Sequence, residues 1–257
     1  FAAVLAPMVA GVVMAWDTWQ SYYRLLSALS LGMFILVWKF EVGRESTGKG
    51  ASEDDVFADA DVKGAGWSRG LSTLKPIAGI CLGVFALAGV QNVLNTWIYL
   101  YTSHTYNANH GQATLSPTVY WIGILLGRVG LIFLSEKYSA RCLLIALSLL
   151  PTGALWIDHS GGTYWLALPA IFLAGVGVSG TFQLGTTWAS ERMPQRIGLA
   201  STAVMAVSGL GLGFGPWLAG IAIEETSFAA LKWVVSLGCM IAGLAFLVTP
   251  VSTVQGR

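Results

Sequence analysis

Eight stretches of this chain are long and almost free of charge: residues 1–16, 22–40, 76–101, 117–135, 140–157, 163–187, 197–222 and 227–249. A bilayer's hydrocarbon core, about 30 Å thick, takes about 20 apolar residues per helix. Lipid cannot satisfy backbone N–H and C=O groups, so spans of this kind must be helices or closed barrels, and their length selects helices. Only 11% of the residues are charged, where soluble domains carry about 25%. The expectation is an all-α polytopic membrane protein with eight transmembrane helices in the chain.

The loops orient the spans. Lys39, Arg44, Lys49, Lys63, Arg69 and Lys75 lie in or beside the connection between spans two and three, Lys137 and Arg141 follow span four, and Arg192 and Arg196 follow span six. With Arg257 they make 11 of the 14 basic residues on one side; Arg24 and Lys232 fall on the other, and Arg128 lies within a span. The positive-inside rule makes the richer side cytoplasmic, including the C-terminus and the 41–75 loop. That loop, with Ser52-Glu53-Asp54-Asp55, reads as a solvated linker. Residues 102–116 read as an outside loop without Lys or Arg but with His104 and His110, taken as surface histidines.

Several motifs mislead. Gly43-Arg44-Glu45-Ser46-Thr47-Gly48-Lys49 approaches a phosphate loop, but Gly50 stands where the magnesium-binding hydroxyl is required. Gly175-Val176-Gly177-Val178-Ser179-Gly180 spells a dinucleotide fingerprint inside an apolar span, where small residues serve close helix packing. Cys81, Cys142 and Cys239 are isolated within spans and form no metal-binding pattern. No hydrolase or metalloenzyme signature occurs, so the chain is read as a non-enzyme with no catalytic residue, metal or cofactor. A net charge of +1 gives no reason to expect nucleic acid.

Polar side chains inside spans are costly in lipid and mark function. Span three carries Gln91, Asn92, Asn95, Trp97 and Tyr99. Gln91 and Asn95 are one helical turn apart, and Asn92, Asn95 and Tyr99 form an adjoining stripe. Amides beside flat aromatic rings suit a neutral polyhydroxylated solute such as a sugar; the same amides also serve as interhelical hydrogen bonds. Span six adds Gln183 and Thr187, which share a face with Glu191. Arg128 needs a partner, and Glu136, eight residues on and so about 12 Å away, is a poor one. A helix-end carbonyl or a neighbouring acid suits it better, in a structural or gating role.

Ala6-Pro7-Met8-Val9-Ala10-Gly11 and Gly215-Pro216-Trp217-Leu218-Ala219-Gly220 repeat the pattern small-Pro-x-x-Ala-Gly. Such a repeat in a membrane chain points to two related halves. Residue 1 is Phe within an apolar run, so the chain is expected to begin inside a helix and to be a fragment.

Gly127-Arg128 followed by Ser135-Glu136-Lys137-Tyr138-Ser139-Ala140-Arg141 resembles the loop between helices eight and nine of the major facilitator superfamily. Glu136-Lys137 matches its acidic–basic pair and Arg141 its trailing base, while Ser139 replaces the usual Gly. In that family this loop is a cytoplasmic latch, which implies gating roles for these residues. Gly89-Val90-Gln91 through Tyr101 is similar to helix seven of the fucose–proton symporter-like branch, with Gln91 in place of a Glu. The missing carboxylate puts a proton role there in question.

The resemblance makes span one helix five and span seven helix eleven, with Pro7, Gly11, Pro216 and Gly220 as equivalent structural positions. Residues 1–40 would end the N-terminal half, 41–75 would be the central loop and 76–257 the C-terminal half; helices one to four of twelve would be absent. The function it implies is secondary transport of a small polar solute, a sugar or related metabolite, by alternating access with proton coupling. The setting would be the plasma membrane and the partners solute, lipid, protons and the missing N-terminal helices. A non-transporting sensor or scaffold on the same fold is the alternative.

Overall fold

The computed structural model describes residues 31–32, 74–157 and 163–250. Six apolar segments there are long enough to cross a membrane: Lys75–Tyr106, His110–Leu134, Ala140–Ile157, Tyr164–Arg192, Pro194–Glu225 and Ala230–Val248. They coincide with expected spans three to eight. Spans one and two, apart from helical residues 31–32, lie outside the described residues, as do Pro7, Gly11 and the phosphate-loop lookalike. The helices are α1 (Ala78–Tyr106), α2 (His110–Leu134), α3 (Ala140–Ile157), α4 (Tyr164–Val178), α5 (Thr181–Arg192), α6 (Ile197–Glu225) and α7 (Ala230–Val248). No strand occurs among the described residues.

The helix α1 is the axis of the bundle. Its Val84, Leu87, Val90, Leu94 and Ile98 are buried, and it packs on α6, α7 and α2. Glycine makes these approaches possible. A side chain at Gly211 would collide with the backbone oxygen of Phe85, and one at Gly215 would lie 2.5 Å from that of Gly89. Of the alternating glycines in α6, Gly209 and Gly213 have open space around them, so packing requires only every second one. The fingerprint lookalike in α4 has the same purpose. Gly175 lies against the Tyr120 carbonyl, Gly123 of α2 returns the approach at Phe172, and Gly177 admits the Pro151 ring of α3, which a side chain there would meet at 2.5 Å. With little hydrophobic drive between helices in lipid, such contact supplies the cohesion.

Two expected boundaries move. The outside loop shrinks from 102–116 to Asn107–Asn109. The left-handed residue Asn107, φ 50°, ends α1. Asn109 then caps α2 reciprocally: its Oδ1 accepts from the Gln112 N–H at 2.8 Å, and Gln112 Oε1 accepts from the Asn109 N–H at 3.1 Å. Polar residues at 102–106 and 110–116 therefore extend helices beyond the apolar stretch. Span six, expected as one helix, breaks at Ser179-Gly180 into α4 and α5. The Ser179 and Thr181 hydroxyls donate to the Val176 and Val178 carbonyls at 2.7 and 2.9 Å, competing with the backbone ladder.

Tyr120, wholly buried, donates from its hydroxyl to the Gln91 carbonyl at 2.8 Å, joining α2 to α1. Its replacement by Phe leaves that carbonyl without its cross-helix donor and is expected to cost about 1–2 kcal/mol, read as a lower melting temperature in detergent.

Candidate functional site

The polar residues of α1 divide by what they touch. Pro216 lacks an N–H, so in α6 it cannot serve the Leu212 carbonyl one turn back. Asn92 does so instead, its Nδ2 donating to Leu212 O at 2.7 Å. Trp97 Nε1 donates to the Pro216 carbonyl at 3.1 Å, and its ring lies 3.2 Å from where a side chain at Gly220 would begin. The Pro-x-x-Ala-Gly stretch is thus a receptor for two α1 side chains: proline frees a carbonyl, and glycine leaves room for an indole.

From Asn92 an amide chain crosses the bundle. Asn95 Nδ2 donates to Asn92 Oδ1 at 3.3 Å, and Trp121 Nε1 of α2 donates to Asn95 Oδ1 at 3.1 Å. One turn on, the Tyr99 hydroxyl lies 2.8 Å from His110 Nδ1. This ties the Asn92, Asn95 and Tyr99 stripe to a face of α2 bearing His110, Trp121 and Arg128. His110 opens a helix rather than sitting in a loop; its near neighbour in sequence, His104, stacks on Phe228 with ring centres 4.5 Å apart.

Arg128 is exposed and shares its face with Trp121, seven residues before it. Its Nε donates to the Ser179 carbonyl at 3.4 Å, at the break between α4 and α5. Gly127 makes room for this approach, since a side chain there would lie 2.5 Å from Ser179 Oγ. Beyond the break, Gln183 and Thr187 are exposed on α5, one turn apart. Trp188 faces the other way, into the core beside Phe246.

Gln91 stands apart from the rest. It is 9% exposed, and its Oε1 is buried without a hydrogen-bond partner among the described residues. A buried acceptor left so costs about 1–3 kcal/mol unless a donor reaches it.

The latch-like residues diverge. Glu136 and Lys137 are exposed between α2 and α3. Arg141 instead donates to the Phe246 and Leu247 carbonyls at 3.2 and 2.7 Å, closing the end of α7, and Arg192 donates to the Pro250 carbonyl. The start of α3 and the ends of α5 and α7 therefore meet at one end of the bundle, the basic one.

Sequence reasoning missed Trp121, although counting one helical face from His110 to Arg128 passes through it. It also missed the freed Leu212 carbonyl as the target of Asn92. The proline announces such a carbonyl, but only packing tells which side chain reaches it.

The model of the Major Facilitator Superfamily matches residues 1–201 and 80–256. Two curated relatives span most of the chain. "Bypass of stop codon protein 6" of Saccharomyces cerevisiae is 22% identical over 246 residues, 86% of this chain and 49% of the relative. "Putative glycerol-3-phosphate transporter 5" of Arabidopsis thaliana is 24% identical over 261 residues, 87% of this chain and 52% of the relative. The chain spans about half the length of these relatives. Multiple apolar helices, glycine-packed seams and a match over most of its length identify the chain as a multi-pass integral membrane protein of the Major Facilitator Superfamily.

Proposed function

We propose that the chain is part of a secondary transporter that moves a small polar solute by alternating access. In this reading 1–40 ends the N-terminal half, 41–75 is the central loop and 76–257 is the C-terminal half. The carrying observation is the polar seam between α1 and α2, where Asn92, Asn95 and Trp121 are bonded in series, together with the exposed Gln183 and Thr187 of α5, which packs lower on α1 beside Val84. Asn95 and Tyr99 contact solute on that seam, Gln183 and Thr187 line the path nearer the basic end, Trp121 supplies ring surface, and Asn92 and Trp97 brace α1 against α6. Gln91 Oε1 accepts from a solute hydroxyl or a water. Arg128 tethers the α4–α5 break and gates it.

The solute class is a sugar, a polyol or a phosphate ester of one. The phosphate ester enters because Arg128 brings a guanidinium to this path, and because one relative is named for glycerol 3-phosphate. The end bearing Lys75, Lys137, Arg141, Arg192 and Arg196 faces the cytoplasm by the positive-inside rule. Proton coupling and a plasma-membrane location complete the proposal.

The test is uptake into proteoliposomes by a chain carrying all twelve helices, over a panel of sugars, polyols and glycerol 3-phosphate, with and without a pH gradient. Saturable uptake of one class, accelerated by an inward proton gradient, is expected. Absence of saturable flux across the panel contradicts the solute assignment, and gradient-insensitive flux contradicts coupling.

A further inference from the structure

A second feature lies away from the polar seam. At the basic end, a recess of about 520 Å³ is lined by the start of α1 and the end of α7. Lys75 stands at its mouth, with Leu82, Leu244 and Val248 among its walls. Leu82 and Ile241 also line a second cavity of about 150 Å³, which continues between α1, α6 and α7 to Val93. From Lys75 to Val93 the groove follows α1 for about 27 Å. One leaflet of acyl chain needs about 15 Å.

Charge decides the occupant. The Lys75 side chain is exposed and makes no hydrogen bond or ion pair among the described residues. Pro250 also lines the cavity, and its carbonyl is held by the guanidinium of Arg192. Arg141 lies on the same helix end, bonded to neutral carbonyls rather than to carboxylates. The mouth is therefore cationic and the walls are apolar. A zwitterionic lipid would fit the walls but bring its own cationic group to the already cationic end. Basic recesses between transmembrane helices attract anionic headgroups, with about 1 kcal/mol per Lys or Arg near the surface.

We propose that this groove binds one anionic phospholipid, its phosphate at Lys75 beside Arg192 and one acyl chain lying along Leu82 and Ile241. The site is independent of the solute reading, since none of its residues lies on the polar seam.

Native mass spectrometry of the 257-residue chain in detergent, titrated with dioleoyl phosphatidylglycerol or dioleoyl phosphatidylcholine, tests it. The expected result is one retained phosphatidylglycerol with half-saturation about fivefold below that of phosphatidylcholine. Lys75→Gln abolishes that preference, and Leu82→Trp, which fills the groove from an exposed position, weakens both lipids alike. Millimolar inorganic phosphate does not displace the lipid, because it brings no acyl chain. Equal binding of the two lipids, a preference that survives Lys75→Gln, binding unaltered by Leu82→Trp, or displacement by phosphate each overturns the proposal.

Discussion

Gly211→Leu is expected to destabilise the bundle by about 3 kcal/mol or more, while Gly209→Ala, two residues away on the same helix, stabilises it by up to about 1 kcal/mol. A side chain at Gly211 would meet the Phe85 backbone oxygen, which no rotamer change can move, so α6 must part from α1. Parting also stretches the Asn92–Leu212 and Trp97–Pro216 bonds, because both cross the same seam. Gly209 has open space around it, so alanine there adds only helix propensity. Melting temperatures of the purified variants in one detergent check the pair. Equal effects at the two positions would mean that the seam does not hold the helices together.

Asn95→Ala is expected to lower uptake, as kcat/KM, about tenfold or more with little change in melting temperature. Asn92→Ala is expected to lower the melting temperature first. Both are amides in span three, and their order of importance follows from their partners. Asn92 serves a carbonyl that proline has deprived of its ladder bond, so its loss strands that acceptor at a cost of about 1–3 kcal/mol. Asn95 is exposed, with a hydrogen and lone pairs still available beyond its bonds to Asn92 and Trp121. One hydrogen bond to solute lost in the transport cycle is worth about 1.4 kcal/mol, a factor of ten. If Asn95→Ala lowers stability as much as Asn92→Ala and leaves uptake intact, both amides are interhelical glue.

Much of the fold was legible because lipid imposes a simple rule. Apolar length gave the six described spans, and the glycine run of α4 could be separated from a nucleotide motif because no strand precedes it. The end of α1 was misjudged because polarity marks where a helix leaves the hydrocarbon, not where it stops. The Asn109–Gln112 pair carried the real signal as a capping box. The break at Ser179-Gly180 was hidden by unbroken hydropathy; hydroxyl competition and the room Gly180 requires are packing facts. For the candidate site, the sequence named the polar residues of α1 and α5 but not their division of labour. Asn92 and Asn95 are the same amide three residues apart, and only the position of Pro216 on another helix distinguishes them.

The central claim is that the exposed polar residues of α1 and α5 line a water-filled solute path rather than lipid. Thiol labelling in membranes tests it most directly. With Cys81, Cys142 and Cys239 replaced, single cysteines at Asn95, Tyr99, Gln183 and Thr187 are compared with cysteines at Leu166 and Met240, exposed apolar positions. The account predicts that a charged, membrane-impermeant thiol reagent modifies the first four and spares the last two. Labelling of Leu166 and Met240 with no labelling at Asn95 and Thr187 would contradict it.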